Sequence, residues 1–489
     1  MKSPIFMRYN MIIWAVALLT FCPLVGASET GTAAFKPLSI GVVGAGLAGL
    51  TAAYRLMQHG YRVTVYEATD RAGGRVWTYR NGEHHEELGG KNIEEDDEEI
   101  RALAQELDIP LINGSCSWNG TYLTADGRSV NLIAVSQHGP APDESLEARF
   151  SDAASRCHNL REVLEEVFTG LPDIIEAFDN LYSRDDGAHT AKLSPSAYYT
   201  ALKYYQAMRK VFDNHEAYFH WEESEIEGGN DRLINALCEK IGYGNIHLGM
   251  PINQISFKDN KVILKSAHHK VIHDKVVLAI PCGPLRSINF KNHIMPEAQS
   301  TAINAVFYAP YTKVLFRVNP TTVAESNTLA TTAFADYWFN TDRSLVTVYI
   351  RTGSEDPAFG QSHEEQIAYC QRELNVLFPD VEFLGEAFTV AWPEKPYALG
   401  AYSCWLIGQD RRIINYHGYW IYPAFKPIDN KIFFAGEHTS MSSPATMNGA
   451  VQSGGFVATI IKASDIPDET PEESEASDDS LDEAFELTR

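Results

Sequence analysis

Positive charge is scarce in this chain. Forty Lys and Arg stand against 64 Asp and Glu, a formal charge of −24 over 489 residues. Such a deficit argues against a partner that is itself a polyanion, whether nucleic acid or an anionic membrane, and favours a cationic ligand. Much of the excess is concentrated in residues 464–489, which carry eleven carboxylates and one Arg, are broken by Pro and Ser and have almost no apolar periodicity. They read as a disordered acidic tail, either a docking segment or an inert solvated end. Long apolar runs are also missing. The eleven residues Met11–Phe21, preceded by Lys2 and Arg8 and followed by Val25-Gly26-Ala27, fall short of the ~20 needed to span a bilayer. Their grammar is that of a signal peptide over 1–27, cut before Ser28, so an exported protein without a stable membrane anchor is expected. The seven Cys include no C-x-x-C pair and no zinc-like cluster. Disulfides are therefore permitted but not predicted, and no metal site is expected. G-x-S-x-G, H-E-x-x-H and Walker loops are absent, which leaves hydrolase, metalloprotease and NTPase chemistry without support.

What remains is a chain long enough for two to four structural units at roughly 100–200 residues each, with globular composition and 34 Gly. The glycines are informative by position. Leu38–Val43 is a short apolar strand, Gly44-Ala45-Gly46-Leu47-Ala48-Gly49 follows it, and Leu50, Ala53, Tyr54 and Met57 mark one face of a helix. Arg62–Tyr66 is a second strand, closed by Glu67, which lies 18 residues beyond Gly49. This is the dinucleotide-binding βαβ unit: glycines for the tight turn and the close approach of backbone to pyrophosphate, a helix N-terminus toward the phosphates, and an acid for the ribose hydroxyls.

Arg71, Gly73-Gly74-Arg75 and then Glu87-Leu88-Gly89-Gly90 continue the pattern in a way that a nicotinamide site does not require. The run E-x-x-x-R-x-G-G-R resembles the FAD-binding signature of the flavin amine oxidase superfamily, which holds monoamine, polyamine and L-amino-acid oxidases and their desaturase relatives. The resemblance implies that Arg75 lies along the diphosphate and ribityl chain and that Leu88, Gly89 and Gly90 pass close to the flavin ring. Later segments match in order. Glu227–Leu233 starts a helix, Ile252 takes the place whose backbone pairs with adenine, and the chain leaves the cofactor domain at Pro281-Cys282. Ile432–Thr439 and Pro444–Gly454 resemble the C-terminal flavin motif, in which Glu437 faces the ribityl and diphosphate region and the Met447 amide faces the flavin ring. The implied fold class is α/β: a discontinuous Rossmann-like FAD-binding domain (36–92, 225–290 and 400–463) with an inserted α+β substrate-binding domain (93–224 and 291–399).

Lys313 matches the family lysine that holds a water near the flavin and assists reoxidation by O2, whereas a lysine opening a strand is ordinarily solvent-facing. Tyr402, in the stretch Trp392–Ser403, takes the place of an aromatic wall on the substrate side. Monoamine oxidases carry FAD on a cysteine just before that tyrosine. Ala401 stands here, which predicts non-covalent FAD. The opposing tyrosine of their cage falls on Thr446, so the two-tyrosine cage is incomplete and the pattern is nearer polyamine oxidases and histone-demethylase-like relatives. L-amino-acid oxidases place an Arg shortly after the glycine pair; here Asn92 occupies that place, with Lys91 or Arg101 able to compensate. The acidic run Glu94–Glu99 either opens a helix, where carboxylates suit the macrodipole, or lines an entrance for cations. The resemblance implies oxidation of a primary or secondary amine, polyamines included, by O2 to an imine or aldehyde and hydrogen peroxide. The alternatives are an L-amino-acid oxidase and a flavin-binding protein without turnover.

Overall fold

The computed structural model describes residues 37–465 except 83, 119–120, 124–127, 186–187, 215–218, 325–328, 332–334, 352–361, 386, 405, 407–413 and 417. The leader (1–27) and the acidic tail beyond Asp465 lie outside the described residues. Among the described residues no helix is long and apolar enough to cross a membrane.

The chain lays down β1 (Ser39–Val43), α1 (Leu47–Gln58) and β2 (Arg62–Tyr66), then a hairpin strand β3 (His84–Glu87) and α2 (Glu98–Glu106). Five helices between Leu132 and Asp213 follow. The chain returns through β4 (Phe219–Ile226), α3 (Asp231–Ile241), the short β5 (Ile246–His247) and β6 (Lys275–Leu278). It then builds β7 (Tyr311–Arg317), β8 (Ala335–Phe339), β9 (Leu345–Arg351) and β10 (Phe388–Ala391), and ends with β11 (Ile432–Phe434) and α4 (Met447–Ser464).

The first sheet has the order β5-β2-β1-β6-β11, all parallel, with Val42 opposite Val65 and Val277, and Val277 opposite Phe433. A parallel sheet covered on both faces needs strands that are apolar without alternation. Ile40, Val42, Val65, Val277 and Phe433 are all fully buried. Helices α1, α3 and α4 close over it, and their apolar faces share one core with the strands. Helix α2 joins that core through Ile100, Leu103 and Leu107, although the sequence assigns it to the substrate-side segment beginning at 93. At the other end α4 runs to Ser464, and Asp465 accepts from the Tyr61 hydroxyl (2.6 Å) and pairs with Lys275 (2.7 Å). The first two residues of the predicted tail thus belong to the folded body.

The second sheet is antiparallel and places β8, β9, β7 and β10 side by side. Its two faces follow the period of a strand. Val314 and Phe316 of β7 pack into a core with the helix His363–Leu377, while Leu315 on the opposite face packs with Leu88, Val390 and Trp392 beside the glycine loop. Lys313 shares the face of Leu315. The helices over 132–213 have their own apolar core around Phe150, Phe168, Phe178 and Tyr205.

Candidate active site

The carboxyl ends of β1, β2, β6 and β11 open into a cavity of about 1430 Å3, lined there by Gly44, Gly46, Glu67, Ala279 and Glu437. In a doubly wound sheet this is where a cofactor binds, at the point where strand order reverses. The turn after β1 is built for backbone alone. Gly44 has a φ of +104°, and a Cβ on it would lie 2.5 Å from the Ala279 carbonyl oxygen; one on Gly49 would lie 2.0 Å from the Gly44 carbonyl oxygen. Gly46 differs, because a Cβ there would meet no protein atom within 4 Å and would project into open space. It is also the N-cap of α1 and offers no side-chain cap, so the positive end of the helix is left to the cavity.

The carboxylate of Glu67 fastens this turn, accepting from the Ala45 amide (2.8 Å) through one oxygen and from the Thr69 amide and hydroxyl (both 2.9 Å) through the other. Two lone pairs per oxygen leave it able to accept further hydrogen bonds. Among the described residues no hydrogen bond engages the backbone of Ile252 or the amide of Met447, and both residues line the cavity. An open glycine cradle, an uncapped helix end, a cavity-lining acid and free backbone groups at both ends fit a dinucleotide such as FAD.

Four of the predicted site residues, Arg71, Arg75, Glu437 and Thr446, also hold other parts of the chain in place. Arg71 folds its guanidinium onto the carbonyls of Ala72, Gly74 and Val76, with Trp77 stacked 4.5 Å away, and so braces the loop that carries Gly73 and Gly74. Arg75 donates to the Ala401 carbonyl (2.9 Å) and to Glu437 (2.7 Å). Glu437 also accepts from the Ser403 hydroxyl (2.6 Å) and the Ala445 amide (2.9 Å). Burial opposes both charges, but the partner together with neighbouring polar groups overcomes it, raising the pKa of Arg75 and lowering that of Glu437. The pair is a half-buried buckle joining the first and last cofactor segments. Thr446 is the N-cap of α4: its hydroxyl accepts from the Gly449 amide and donates to the Ser443 carbonyl, both at 2.9 Å. Its hydroxyl therefore fixes the end of α4 that faces the cavity.

The loop Leu88–Gly90 runs between the two sheets. A Cβ on Gly89 would lie 1.7 Å from the Arg75 carbonyl oxygen, and one on Gly90 would lie 2.8 Å from the Met447 side chain. Lys313 donates to the carbonyls of Glu87 (2.9 Å) and Gly89 (2.8 Å), and the Trp392 indole donates to that of Leu88 (3.0 Å). Lys313 is 5% exposed, so burial pushes its pKa down to about 8 against the pull of Glu86. The solvent-facing alternative for this lysine is therefore excluded. Tyr402 stacks on Tyr311 (5.5 Å), which stacks on Tyr349 (4.3 Å), and the Tyr349 hydroxyl donates to that of Tyr402 (3.4 Å). Tyr402, Tyr349, Trp338 and Trp392 all line the cavity.

Tyr349, Trp338, Glu86, Glu225 and Asn230 were not identified from sequence. Tyr349 sits opposite Lys313 in the β7–β9 register, and Trp338 lies two residues from Asp336, which is opposite Tyr349. Only knowledge of that register reveals them. Asn230, at the start of α3, donates from its side chain to the carbonyls of Gly90 (3.0 Å) and Lys91 (2.9 Å), and from its backbone to Glu87 (2.8 Å). Burial pushes Glu87 up to about 7. The acidic run divides in function: Glu99 receives Asn448 (2.8 Å) and Gln452 (2.9 Å) and so ties α2 to α4, while Glu94 and Asp97 line the cavity. No cysteine lines the cavity among the described residues. Cys404, close to the family's attachment position, is buried beside Ala309 and Tyr311.

A dinucleotide cradle continuous with an aromatic-walled chamber defines a cofactor-dependent oxidoreductase. Residues 47–462 match the family described as flavin containing amine oxidoreductase, and the chain belongs to that family, with FAD as its cofactor. It is 26% identical over 457 residues to lysine-specific histone demethylase 1 homolog 2 of Arabidopsis thaliana, covering 85% of this chain and 57% of that protein. The chain thus spans little more than half of that relative. It is 27% identical over 310 residues to an L-amino-acid oxidase of Crotalus adamanteus, covering 58% of each. A solved putrescine oxidase with putrescine bound superposes with a TM-score of 0.66 at 20% identity, over 88% of this chain and 99% of that one, a likeness of fold.

Proposed function

We propose that this protein is an amine oxidase that takes a primary or secondary amine and O2 to an imine and hydrogen peroxide, the imine then adding water to give an aldehyde or ketone and releasing the nitrogen as ammonia or an amine. Two electrons and two protons leave the amine, and both pairs end on oxygen, so the equation balances without another reductant. The observation that carries the reading is Lys313, buried and weakly basic, held on the Leu88–Gly90 loop where the cradle meets the wall of Trp338, Tyr349 and Tyr402. FAD, when bound, supplies the hydride acceptor. The tyrosine and tryptophan faces hold the substrate carbon in place and keep water from it. Lys313 Nζ, whose pKa of about 8 lies near neutrality, gives up and regains a proton beside the oxygen being reduced.

Amino-acid oxidation is the weaker reading. Lys91 is engaged by Glu86 (2.9 Å) and Glu225 (3.6 Å), and Arg101 donates to the carbonyls of Glu94 and Ile93 and to the Ser224 hydroxyl. Both compensating cations are thus already engaged within the chain. The absence of a cavity cysteine supports dissociable FAD, and the leader grammar supports export of a chain beginning near Ser28, which N-terminal sequencing of the secreted protein would check.

The deciding experiment is anaerobic addition of amines and L-amino acids to the FAD-loaded protein while flavin absorbance is followed. Bleaching by amines, with recovery and peroxide formation in air, is expected. A yellow protein bleached by L-amino acids alone, or by nothing offered, would overturn the reading.

A further inference from the structure

Three carboxylates act electrostatically on Lys313: Glu86, Glu87 and Glu225. Each is already engaged inside the chain. Glu87 accepts from the Thr78 hydroxyl (3.0 Å) and the Asn230 amide (2.8 Å). Glu86 takes the Lys91 ammonium on both oxygens, at 2.9 and 3.2 Å, and Glu225 stands 3.6 Å from the same nitrogen. The Trp338 ring covers that ammonium at 5.4 Å and Lys313 at 5.3 Å. The Glu86 side chain is 2% exposed and that of Lys91 18%, yet both line the cavity. Burial works against both charges, but Glu86 and Glu225 together hold Lys91 protonated, and Lys91 and Lys313 together hold Glu86 ionised.

Two carboxylates and an aromatic face are the groups that recognise an ammonium from outside. Here they close on the chain's own. We infer that Lys91 determines specificity by filling the ammonium subsite beside Lys313, so that the preferred substrate is a monoamine with an apolar remainder and diamines are disfavoured. This rests on the amine-oxidase reading and deepens it. A second ammonium arriving beside Trp338 meets Lys91 and Lys313, with Glu86, Glu87 and Glu225 already engaged, whereas an alkyl or aryl group meets Trp338, Tyr349 and Tyr402. Lys91 acts through charge and occupancy and takes no part in the chemistry.

The test compares butylamine with 1,4-diaminobutane, equal in length and differing by one ammonium, on the FAD-loaded full chain. Anaerobic calorimetry gives affinity, and flavin bleaching gives the rate of reduction. The wild type should favour butylamine by about tenfold or more, and Lys91→Met, which frees Glu86 and Glu225, should move the ratio at least ~10-fold toward the diamine. Equal or better binding of the diamine by the wild type, or an unchanged ratio in a Lys91→Met protein that retains FAD, would overturn the inference. If Lys91→Met fails to fold, Glu225→Gln decides. A carboxylate already engaged by Lys91 gives a ratio within about twofold of wild type, while a tenfold loss confined to the diamine would mean that Glu225 anchors substrate and would refute the role of Lys91. Should no amine bleach the flavin, the oxidase reading falls, and the calorimetric ratio still judges Lys91.

Discussion

The two sides of the cavity are made of different material. The cofactor side is backbone: glycine turns at 44–49, 73–74 and 89–90, helix ends at Gly46 and Thr446, and charged side chains that mostly hold other parts of the chain in place. The substrate side is side chain: Lys313, Trp338, Tyr349 and Tyr402, set on strands or beside them, with Lys91 held between Glu86 and Glu225. A wall of backbone fixes residue identity tightly, because any side chain is an intrusion. A wall of side chains fixes only size and charge, and so can be altered to change the substrate while the cofactor site stays as it is.

Glycine substitutions on the cofactor side give the sharpest test of that contrast, since they separate fold from ligand. Gly49→Ala would drive a Cβ to 2.0 Å from the Gly44 carbonyl oxygen, an overpacking inside α1 that should cost about 3 kcal/mol or more and lower the melting temperature with or without FAD. Gly46→Ala should spare the fold, because its Cβ meets no protein atom within 4 Å and its φ of −74° suits alanine. It should instead weaken FAD binding by about 100-fold, or ~2.7 kcal/mol, read by titration of the apoprotein. Equal effects of the two substitutions on FAD affinity and on apoprotein stability would erase the distinction.

The same contrast explains what sequence could reveal. The turns at Gly44–Gly49 and Leu88–Gly90 were legible because Gly44, Gly49 and Gly89 leave no room for a Cβ, and β1, α1 and β2 followed from local pattern. Arg71, Arg75 and Glu437 were legible as positions, yet their work as braces was not, since their partners at Gly74, Ala401 and Ser403 are fixed by folding. Tyr349, Trp338 and Glu225 left no local trace, because strand register over dozens of residues brings them to Lys313 and Lys91. Thr446 was legible as a position at the cavity, whereas its hydroxyl's work as the cap of α4 was not.

On the substrate side, pH provides the next largest effect. Burial lowers Lys313 to about 8 from an ordinary 10.5, so the folded protein releases this proton before the unfolded chain does. Between those values the unfolded state holds more protons, and the stability contributed at this position rises with pH. Lys313→Met removes the dependence. Relative to the variant, the wild type should therefore gain stability above pH 8, reaching about 2 kcal/mol some 1.5 units higher, measured by urea unfolding of both proteins across that range. A constant difference would mean that Lys313 is not buried as a charge, and the side-chain wall would lose its central member.

The smallest expected effect concerns the tyrosine pair. The Tyr349 and Tyr402 hydroxyls lie 3.4 Å apart, while the Tyr349 ring bears on Tyr311 at 4.3 Å and Tyr311 on Tyr402 at 5.5 Å. If stacking orients Tyr402, Tyr349→Phe keeps every ring in place and removes the long hydrogen bond to Tyr402, worth about 0.5–1 kcal/mol. KM for an amine should then rise about two- to fourfold, with kcat nearly unchanged. A tenfold fall in kcat at constant KM would instead make the hydroxyl pair part of the reacting geometry. In that case the substrate side would be as exacting as the glycine cradle, and the difference between the two walls would be one of material alone.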